Sequence, residues 1–176
     1  MGLSDYYEGF DVIPVQTTLP VFTTIPKDSP NILPLIEQYR QEHSDSIETN
    51  VKCNWRSNWY VHNDKRFNEF NEWILNACSF VCQYHLNTQV NFSIANEWLM
   101  VYEKGDYAIP HEHFPYCLSV IYYVDCDANA APVIFENSIE VKPEVGKLII
   151  FPSELKHEVK QTEGKRVVVS MNLNQY

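Results

Sequence analysis

The second half of the sequence alternates short apolar runs with turn residues, and this pattern constrains the fold more than any other feature. The runs are rich in Val, Ile, Tyr and Phe, residue types that favour β-strands. They cover residues 98–102, 118–124, 133–135, 147–151 and 167–173. Gly, Pro, Asn and Asp residues separate them. Runs punctuated in this way predict a compact all-β unit.

Two helices are predicted ahead of the β unit. The first covers about residues 28–43, beginning at an Asp-Ser-Pro sequence that is typical of a helix entry. The second covers about residues 65–86, and Asn63-Asp64 can cap it. Its apolar stripe consists of Phe67, Phe70, Ile74, Ala77, Val81 and Tyr84, widened by Trp73 and Phe80. Helices ahead of a β unit imply an α+β fold, mainly β, with the helices packed on one outer face of a sheet.

Three smaller features of the first half are interpreted from local chemistry. Cys78 and Cys82 lie one helical turn apart, and packing in the core is favoured over a metal or redox pair. Trp55 and Trp59 either seal the edge of the core or cover a pocket, and the first alternative is favoured. Residues 11–26 carry three interrupting prolines, which predict one or two edge strands.

The length, charge and cysteine content of the chain limit the number of domains, the partners and the cellular location that can be expected. A chain of 176 residues predicts one domain over residues 1–176, with helical support over about 28–87 and a β core over about 90–173. The formal net charge of −10 disfavours a broad nucleic-acid-binding face. Five cysteines without a signal peptide predict reduced thiols and a cytoplasmic location. No apolar run reaches the roughly 18 residues of a membrane span.

Three histidines in the β half form a candidate metal site. His111 and His113 are two residues apart at the start of a predicted strand, so both imidazoles point to one face and Glu112 points away. His157, just after a strand-ending turn, is the natural third ligand. Imidazole suits iron, zinc, copper and nickel, and three ligands on one face leave positions open for chemistry. An isolated His-x-His pair is often coincidental, but the added His157 favours a metal site.

Arg166 opens the last predicted strand and has an unusual set of neighbours. Val168, Ser170 and Asn172 lie on the same strand face as Arg166. An arginine in this position is usually a solvated strand end. A face that combines Arg, Ser and Asn fits a polar cavity better, with the guanidinium in a bidentate pair with a carboxylate.

The combined motifs resemble a known group of enzymes. The order His-x-His, about forty residues, His, nine residues, Arg is similar to that of the iron(II)- and 2-oxoglutarate-dependent oxygenases. The resemblance is closer to the group of such oxygenases found in bacteria and in tailed phages, including the phages of cyanobacteria. It rests on residues 97–107 running into His111-Glu112-His113, on residues 118–124, on Gly146–Ser153 with His157, and on residues 166–172.

The resemblance implies a fold and a site. The fold is a double-stranded β-helix, or jelly roll, with the two helices packed on the major sheet. His111 and His157 match the iron-binding histidines, and Arg166 matches the residue that pairs with the distal carboxylate of 2-oxoglutarate. His113 stands where most of the superfamily has aspartate, so three neutral imidazoles would surround Fe(II).

Two further co-substrate contacts and a reaction follow from the same resemblance. The family often has serine two residues after the arginine, where this chain has Val168; Ser170 is the expected substitute. Tyr102 is expected to hydrogen-bond the co-substrate. The implied activity is hydroxylation of an unidentified substrate, using Fe(II) and 2-oxoglutarate and releasing succinate and CO2.

Two rival functions and several partner classes are weighed against this hypothesis. One rival is a three-histidine cupin-type dioxygenase that does not use 2-oxoglutarate, and the other is a non-catalytic β-helix binding or structural protein. The spacing of Arg166 disfavours the first, and the retained histidines disfavour the second. The expected substrate is a small molecule or a peptide, the membrane and nucleic acids are not expected partners, and the location is the host cytoplasm if a phage encodes the protein.

Overall fold

The computed structural model describes residues 17–47 and 49–176, which form two antiparallel sheets and two α-helices. The helices are α1 (Leu33–Glu42) and α2 (Asn68–His85). The strands are β1 (Phe22–Thr24), β2 (Val51–Lys52), β3 (Trp55–Arg56), β4 (Phe92–Tyr102), β5 (Tyr107–His111), β6 (Leu118–Cys126), β7 (Val133–Phe135), β8 (Ile139–Val141), β9 (Leu148–Pro152), β10 (His157–Val159) and β11 (Arg166–Gln175). The predicted fold class is confirmed: this is a mainly β, double-stranded β-helix.

The larger sheet has the strand order β1-β9-β6-β11-β4-β3, and the smaller has β2-β5-β10-β7-β8. One apolar cluster fills the space between the sheets, including Met100, Tyr123, Phe151 and Val168. A second cluster lies between the outer face of the larger sheet and the helices, as predicted. The larger sheet is therefore covered on both faces, and side chains on its inner face also border a small cavity between the two sheets.

β11 lies in the middle of the larger sheet, paired with β4 on one side and β6 on the other. Successive side chains of a strand point to opposite faces. Val167 and Val169 pack toward the helices, whereas Val168 packs between the sheets. Arg166 and Ser170 share the inner face with Val168, as the alternation of the sequence predicts.

The beginnings of both helices differ from the sequence prediction. α1 begins at Leu33, later than expected, and the Ser29 hydroxyl contacts the carbonyl oxygens of Pro26 and Gly146, at 2.7 and 3.2 Å, instead of the helix N-terminus. A separate 3₁₀ turn at Lys65–Phe67 precedes α2. Asp64 caps that turn by accepting a hydrogen bond from the backbone N–H of Arg66.

The apolar stripe of α2 was partly misplaced by the sequence prediction. Phe70 and Ile74 are buried as expected, but Phe80 and Tyr84 are 61% and 72% exposed. Cys78 and Cys82 are buried in the outer core cluster instead, which confirms core packing for these two side chains.

A buried polar pair connects α2 to the larger sheet. Glu97 on β4 is fully buried, and its Oε2 accepts a hydrogen bond of 3.1 Å from Nδ2 of Asn71. The other oxygens of the pair, Glu97 Oε1 and Asn71 Oδ1, have no partner among residues 17–47 and 49–176. Burial raises the pKa of Glu97 to about 8. Sequence patterns gave no sign of this pair.

The five predicted apolar runs all coincide with strands, some of which are longer than predicted. β4 and β11 extend beyond the predicted runs, and β2, β3, β5 and β8 were not predicted; β5 ends at His111, where a strand was expected to begin. The expected edge strand is confirmed for β1, which pairs only with β9; the part of that prediction before residue 17 lies outside the described residues. Neither α-helix in the described part of the chain is long and apolar enough to span a membrane.

Candidate metal centre and co-substrate cavity

The three predicted histidines come together at the open end of the smaller sheet. His111 is the last residue of β5, and His157, the first residue of β10, pairs with it across the strands. His113 lies two residues beyond β5, so the pair ends a strand and does not begin one as predicted. The backbone N–H of His113 donates to the Ser153 carbonyl at 2.7 Å, which fixes this turn. Glu112 is exposed and faces away, as expected.

The geometry of the three imidazoles suits one metal ion. Their candidate ligand atoms all lie within 4.8 Å of one another. Nδ1 of His111 is 2.7 Å from the Ile109 carbonyl oxygen, and Nδ1 of His157 is 3.0 Å from that of Leu155. A carbonyl oxygen only accepts, so these Nδ1 atoms carry the protons and the Nε2 lone pairs are free.

Burial keeps the three imidazoles in the form that binds metals. Desolvation lowers the pKa of His111, lowers that of His157 to about 4, and lowers that of His113 to about 3. For His157 and His113 the neighbouring imidazoles lower the pKa further, because two nearby positive charges repel. All three are therefore neutral at pH 7. Three neutral nitrogen donors fit Fe(II), Zn(II) and similar ions, so the donor set agrees with the expected metal.

Arg166 lies buried at one end of the cavity that these histidines border. Its side chain is 2% exposed. Nη1 donates to the carbonyl oxygen of Ala131 at 3.1 Å, and Nη2 donates to the Tyr123 hydroxyl at 3.4 Å. In the described chain Nε has no hydrogen-bond partner, and no carboxylate forms an ion pair with the guanidinium. A buried guanidinium with a free donor fits the distal carboxylate of a dicarboxylic acid.

Two tyrosines enclose Arg166. The guanidinium carbon lies 4.8 Å from the ring centre of Tyr102 and 5.1 Å from that of Tyr123. Burial raises the pKa of both phenols, so both stay protonated at neutral pH. Tyr102, predicted to hydrogen-bond the co-substrate, borders the cavity. Tyr123 was missed, because within a continuous apolar run it could not be distinguished from core residues.

Ser170 borders the same cavity, nearer the histidines than Arg166. It pairs with Trp98 across the strands, and the Trp98 ring centre is 5.6 Å from that of His113. Four residues of extended chain separate Ser170 from Arg166, which is about 13 Å. The two side chains therefore serve different ends of the cavity.

Asn172 has a structural contact that differs from its predicted place on the cavity wall. Its Oδ1 accepts a hydrogen bond of 3.0 Å from Ser119, whose hydroxyl is 2.8 Å from that of Ser153. Ser153 is also the residue whose carbonyl binds the backbone of His113. This chain of contacts connects β6, β9 and β11 to the turn that carries His113.

Arg56 forms part of the cavity wall and was missed by the sequence prediction. It is 1% exposed, with its guanidinium carbon 3.7 Å from the ring centre of Trp59 and 5.5 Å from that of Trp98. Trp59 borders the cavity, whereas Trp55 is buried in the outer core and donates to the His43 carbonyl. The favoured alternative, sealing the core, is thus correct for Trp55 only. The signal available in the sequence was that Arg56 follows Trp55 directly. Consecutive residues of a strand point to opposite faces, so a Trp55 side chain in the outer core places the Arg56 side chain on the inner face.

Comparisons with solved structures show the same architecture. A prolyl-4-hydroxylase from Pseudomonas putida superposes with a TM-score of 0.67 at 14% identity, over 89% of this chain and 93% of that one. A prolyl hydroxylase from Trichoplax adhaerens, in complex with a hypoxia-inducible-factor peptide fragment, gives 0.65 at 16% identity, over 89% and 83%. The chain has the fold of the prolyl hydroxylases.

A viral member of this structural group also matches. The collagen prolyl hydroxylase of Paramecium bursaria Chlorella virus-1, in complex with 2-oxoglutarate, gives a TM-score of 0.62 at 13% identity, over 87% of this chain and 94% of that one. No protein-family model matches the sequence, and no curated protein matches it. At these identities the comparisons establish the fold alone.

Proposed function

We propose that this protein is an Fe(II)- and 2-oxoglutarate-dependent dioxygenase of the hydroxylase type. One observation carries the proposal: three converging neutral imidazoles and a buried arginine with a free donor border a single cavity. The similar viral structure, which shares the fold, is a complex with 2-oxoglutarate. A histidine cluster or a buried arginine alone would fit many kinds of site, but the combination matches the requirements of a metal that binds a dicarboxylic acid.

In this proposal His111, His113 and His157 hold the metal. The Nδ1 contacts of His111 and His157 orient their rings, and the turn contact to Ser153 orients His113. The usual aspartate is replaced by His113, so the metal site carries one more unit of positive charge. A divalent metal ion held by three neutral imidazoles carries two positive charges, and a bound 2-oxoglutarate dianion neutralises them. This charge balance favours binding of the co-substrate.

Arg166, Tyr102 and Ser170 bind the co-substrate. Nε of Arg166 donates to the distal carboxylate, with the Tyr102 and Tyr123 rings shielding that pair from water. Ser170 faces the end of the co-substrate closer to the histidines. When bound, Fe(II) and 2-oxoglutarate supply the oxidising chemistry, in which dioxygen is consumed, succinate and CO2 are released and a substrate C–H bond is hydroxylated.

We also propose an origin, a domain extent, a location and a substrate class for this protein. A bacterial or tailed-phage origin agrees with the motifs, and one domain over residues 1–176 agrees with the layered fold. All five cysteines are free thiols, which supports a cytoplasmic location. One similar structure contains a peptide fragment, so a peptidyl substrate is as compatible with this fold as a small molecule.

The test is anaerobic loading with Fe(II), followed by exposure to oxygen and measurement of succinate. We expect succinate release that requires both Fe(II) and 2-oxoglutarate and that disappears in His157→Ala. If the loaded protein releases no succinate with or without added substrates, the proposal is wrong.

The three-histidine donor set itself favours a second candidate, a cupin-type dioxygenase that uses no 2-oxoglutarate. In that case Arg166 binds a carboxylate of the substrate. Oxygen consumption that is independent of 2-oxoglutarate would support this alternative. An assay from which 2-oxoglutarate is omitted therefore distinguishes the two functions.

A further inference from the structure

Arg56 is a buried cation for which the fold supplies no counter-charge. Its Nη1 donates to the carbonyl oxygen of Ser57 at 3.1 Å. Nε and Nη2 have no hydrogen-bond partner among the residues that the structure describes, and no carboxylate forms an ion pair with this side chain there. Leaving a buried charge unpaired is costly, so a ligand that supplies an anion gains the interaction that the protein lacks.

The position of Arg56 separates it from Arg166. Met100 on β4 pairs with Arg56 on one side and with Val168 on the other, so Arg56 and Val168 are two strand spacings apart. Arg166 is two residues further along β11. Strand spacing and rise then place the Cα atoms of the two arginines about 12 Å apart. The cavity wall therefore carries two arginines, with Arg56 on the side of Trp98 and His113 and Arg166 toward the other end.

Aromatic rings define the surroundings of Arg56. Its guanidinium lies over Trp59, and Trp59 meets Trp98 edge to face with ring centres 4.8 Å apart. Trp98 in turn lies beside His113. These contacts hold the fork of donors in a fixed, dry orientation on the metal side of the cavity, which suits a planar, bidentate acceptor.

We propose that Arg56 binds a carboxylate of the primary substrate, which makes the substrate a carboxylic acid, such as an amino acid or an acidic residue of a peptide. The proposal rests on the proposed function, in which Arg166 is already occupied by 2-oxoglutarate. One anion cannot satisfy both arginines, since the co-substrate extends from Arg166 to the metal. A single bidentate fork without a second basic side chain matches the charge and shape of a carboxylate better than those of a phosphate dianion.

The test uses a matched pair of probes, N-acetylglycine and its neutral amide, N-acetylglycinamide. Protein loaded with Zn(II) and 2-oxoglutarate is titrated with each while NMR follows the Arg56 Nε–H and the indole N–H signals of Trp59 and Trp98. We expect N-acetylglycine to shift these signals and the amide to leave them in place. Arg56→Gln should weaken binding of N-acetylglycine roughly ten- to hundredfold.

A second titration separates this proposal from the assignment of Arg166. Arg56→Gln should bind 2-oxoglutarate as the wild type does, whereas Arg166→Gln should lose that affinity. Arg66→Gln is the control, because Arg66 is a surface residue paired with Glu42 and Asp64. It should change neither titration. If 2-oxoglutarate does not bind at all, the proposed function is wrong. The difference in binding between N-acetylglycine and N-acetylglycinamide still tests the role of Arg56 independently.

Two results would overturn the proposal. One is equal binding of the acid and the amide by the wild-type protein. The other is a loss of 2-oxoglutarate affinity in Arg56→Gln with N-acetylglycine binding intact, which would make Arg56 a co-substrate residue. The first result needs no variant, so it decides the question even if Arg56→Gln does not fold. Arg56→Lys, which keeps the charge without the fork, should bind N-acetylglycine with intermediate affinity.

Discussion

Replacing Glu97 by glutamine should make the protein more stable at neutral and alkaline pH. Glu97 Oε1 and Asn71 Oδ1 are two buried acceptors without partners in the described chain. A proton on Oε1 converts that atom into a donor for Asn71 Oδ1. The amide of glutamine offers the same donor without titrating, and it keeps an oxygen to accept from Asn71 Nδ2. Glutamine thus mimics the protonated form of Glu97 at every pH.

The expected gain follows from the pKa of Glu97, which burial raises from 4.5 to about 8. Between these values the native carboxyl holds a proton that the unfolded chain releases, so the free energy of unfolding falls as the pH rises. At pH 7, the 2.5 pH units above 4.5 correspond to roughly 3 kcal/mol. Glutamine avoids this loss. At pH 5 most of the difference disappears, because the unfolded carboxyl is then partly protonated as well.

Urea unfolding followed by circular dichroism at pH 5, 7 and 8 measures this difference. Glu97→Gln should exceed the wild type by roughly 3 kcal/mol at pH 7 and by less than about 1 kcal/mol at pH 5. Glu72→Gln, an exposed site on the same helix as Asn71, should show no such trend. A gap that is equal at pH 5 and pH 8, or a less stable Glu97→Gln protein at pH 8, would refute the reasoning.

Three results are expected at the metal and co-substrate site. His157→Ala should abolish binding of one divalent ion, measured by calorimetric titration with Mn(II) under nitrogen, and the exposed His85→Ala should not. Arg166→Leu should raise the 2-oxoglutarate requirement for succinate release roughly ten- to hundredfold with Mn(II) affinity retained, since a charge-assisted contact contributes about 1.5–3 kcal/mol; an unchanged requirement would exclude this role. His113→Asp should keep measurable Fe(II) binding, because carboxylates suit this ion, whereas His113→Ala should lose most of it. If His113→Ala binds as tightly as the wild type, His113 is not a ligand.

The features that were predicted best from the sequence are those that depend on the two-residue alternation of side chains along a strand. Strand alternation placed Arg166 and Ser170 on one face of β11, because side-chain direction reverses at every residue. His111 and His113 converge as predicted, but only His111 lies in a strand, at the end of β5, and His113 is positioned by the turn that follows. Local chemistry alone was enough for these inferences.

The features that sequence missed depend on contacts between distant segments. The roles of Arg56, Tyr123 and the Glu97–Asn71 pair depend on partners across the fold, which the neighbouring residues in the sequence do not show. The exposed side of α2 was mispredicted for a related reason. Phe80 and Tyr84 are apolar by type, and only the position of the sheet determines which helix face is covered.

The central position of β11 has a consequence for how this gene can change. Deleting or inserting one residue within the strand would exchange its two faces, so valines would enter the cavity and Arg166 or Ser170 would face the helices. The tip of the connection between β6 and β7, at Asp127–Asn129, tolerates length changes better, since these three residues are exposed. Among descendants of this chain, insertions and deletions should therefore accumulate in the surface connections, while the length of β11 stays constant.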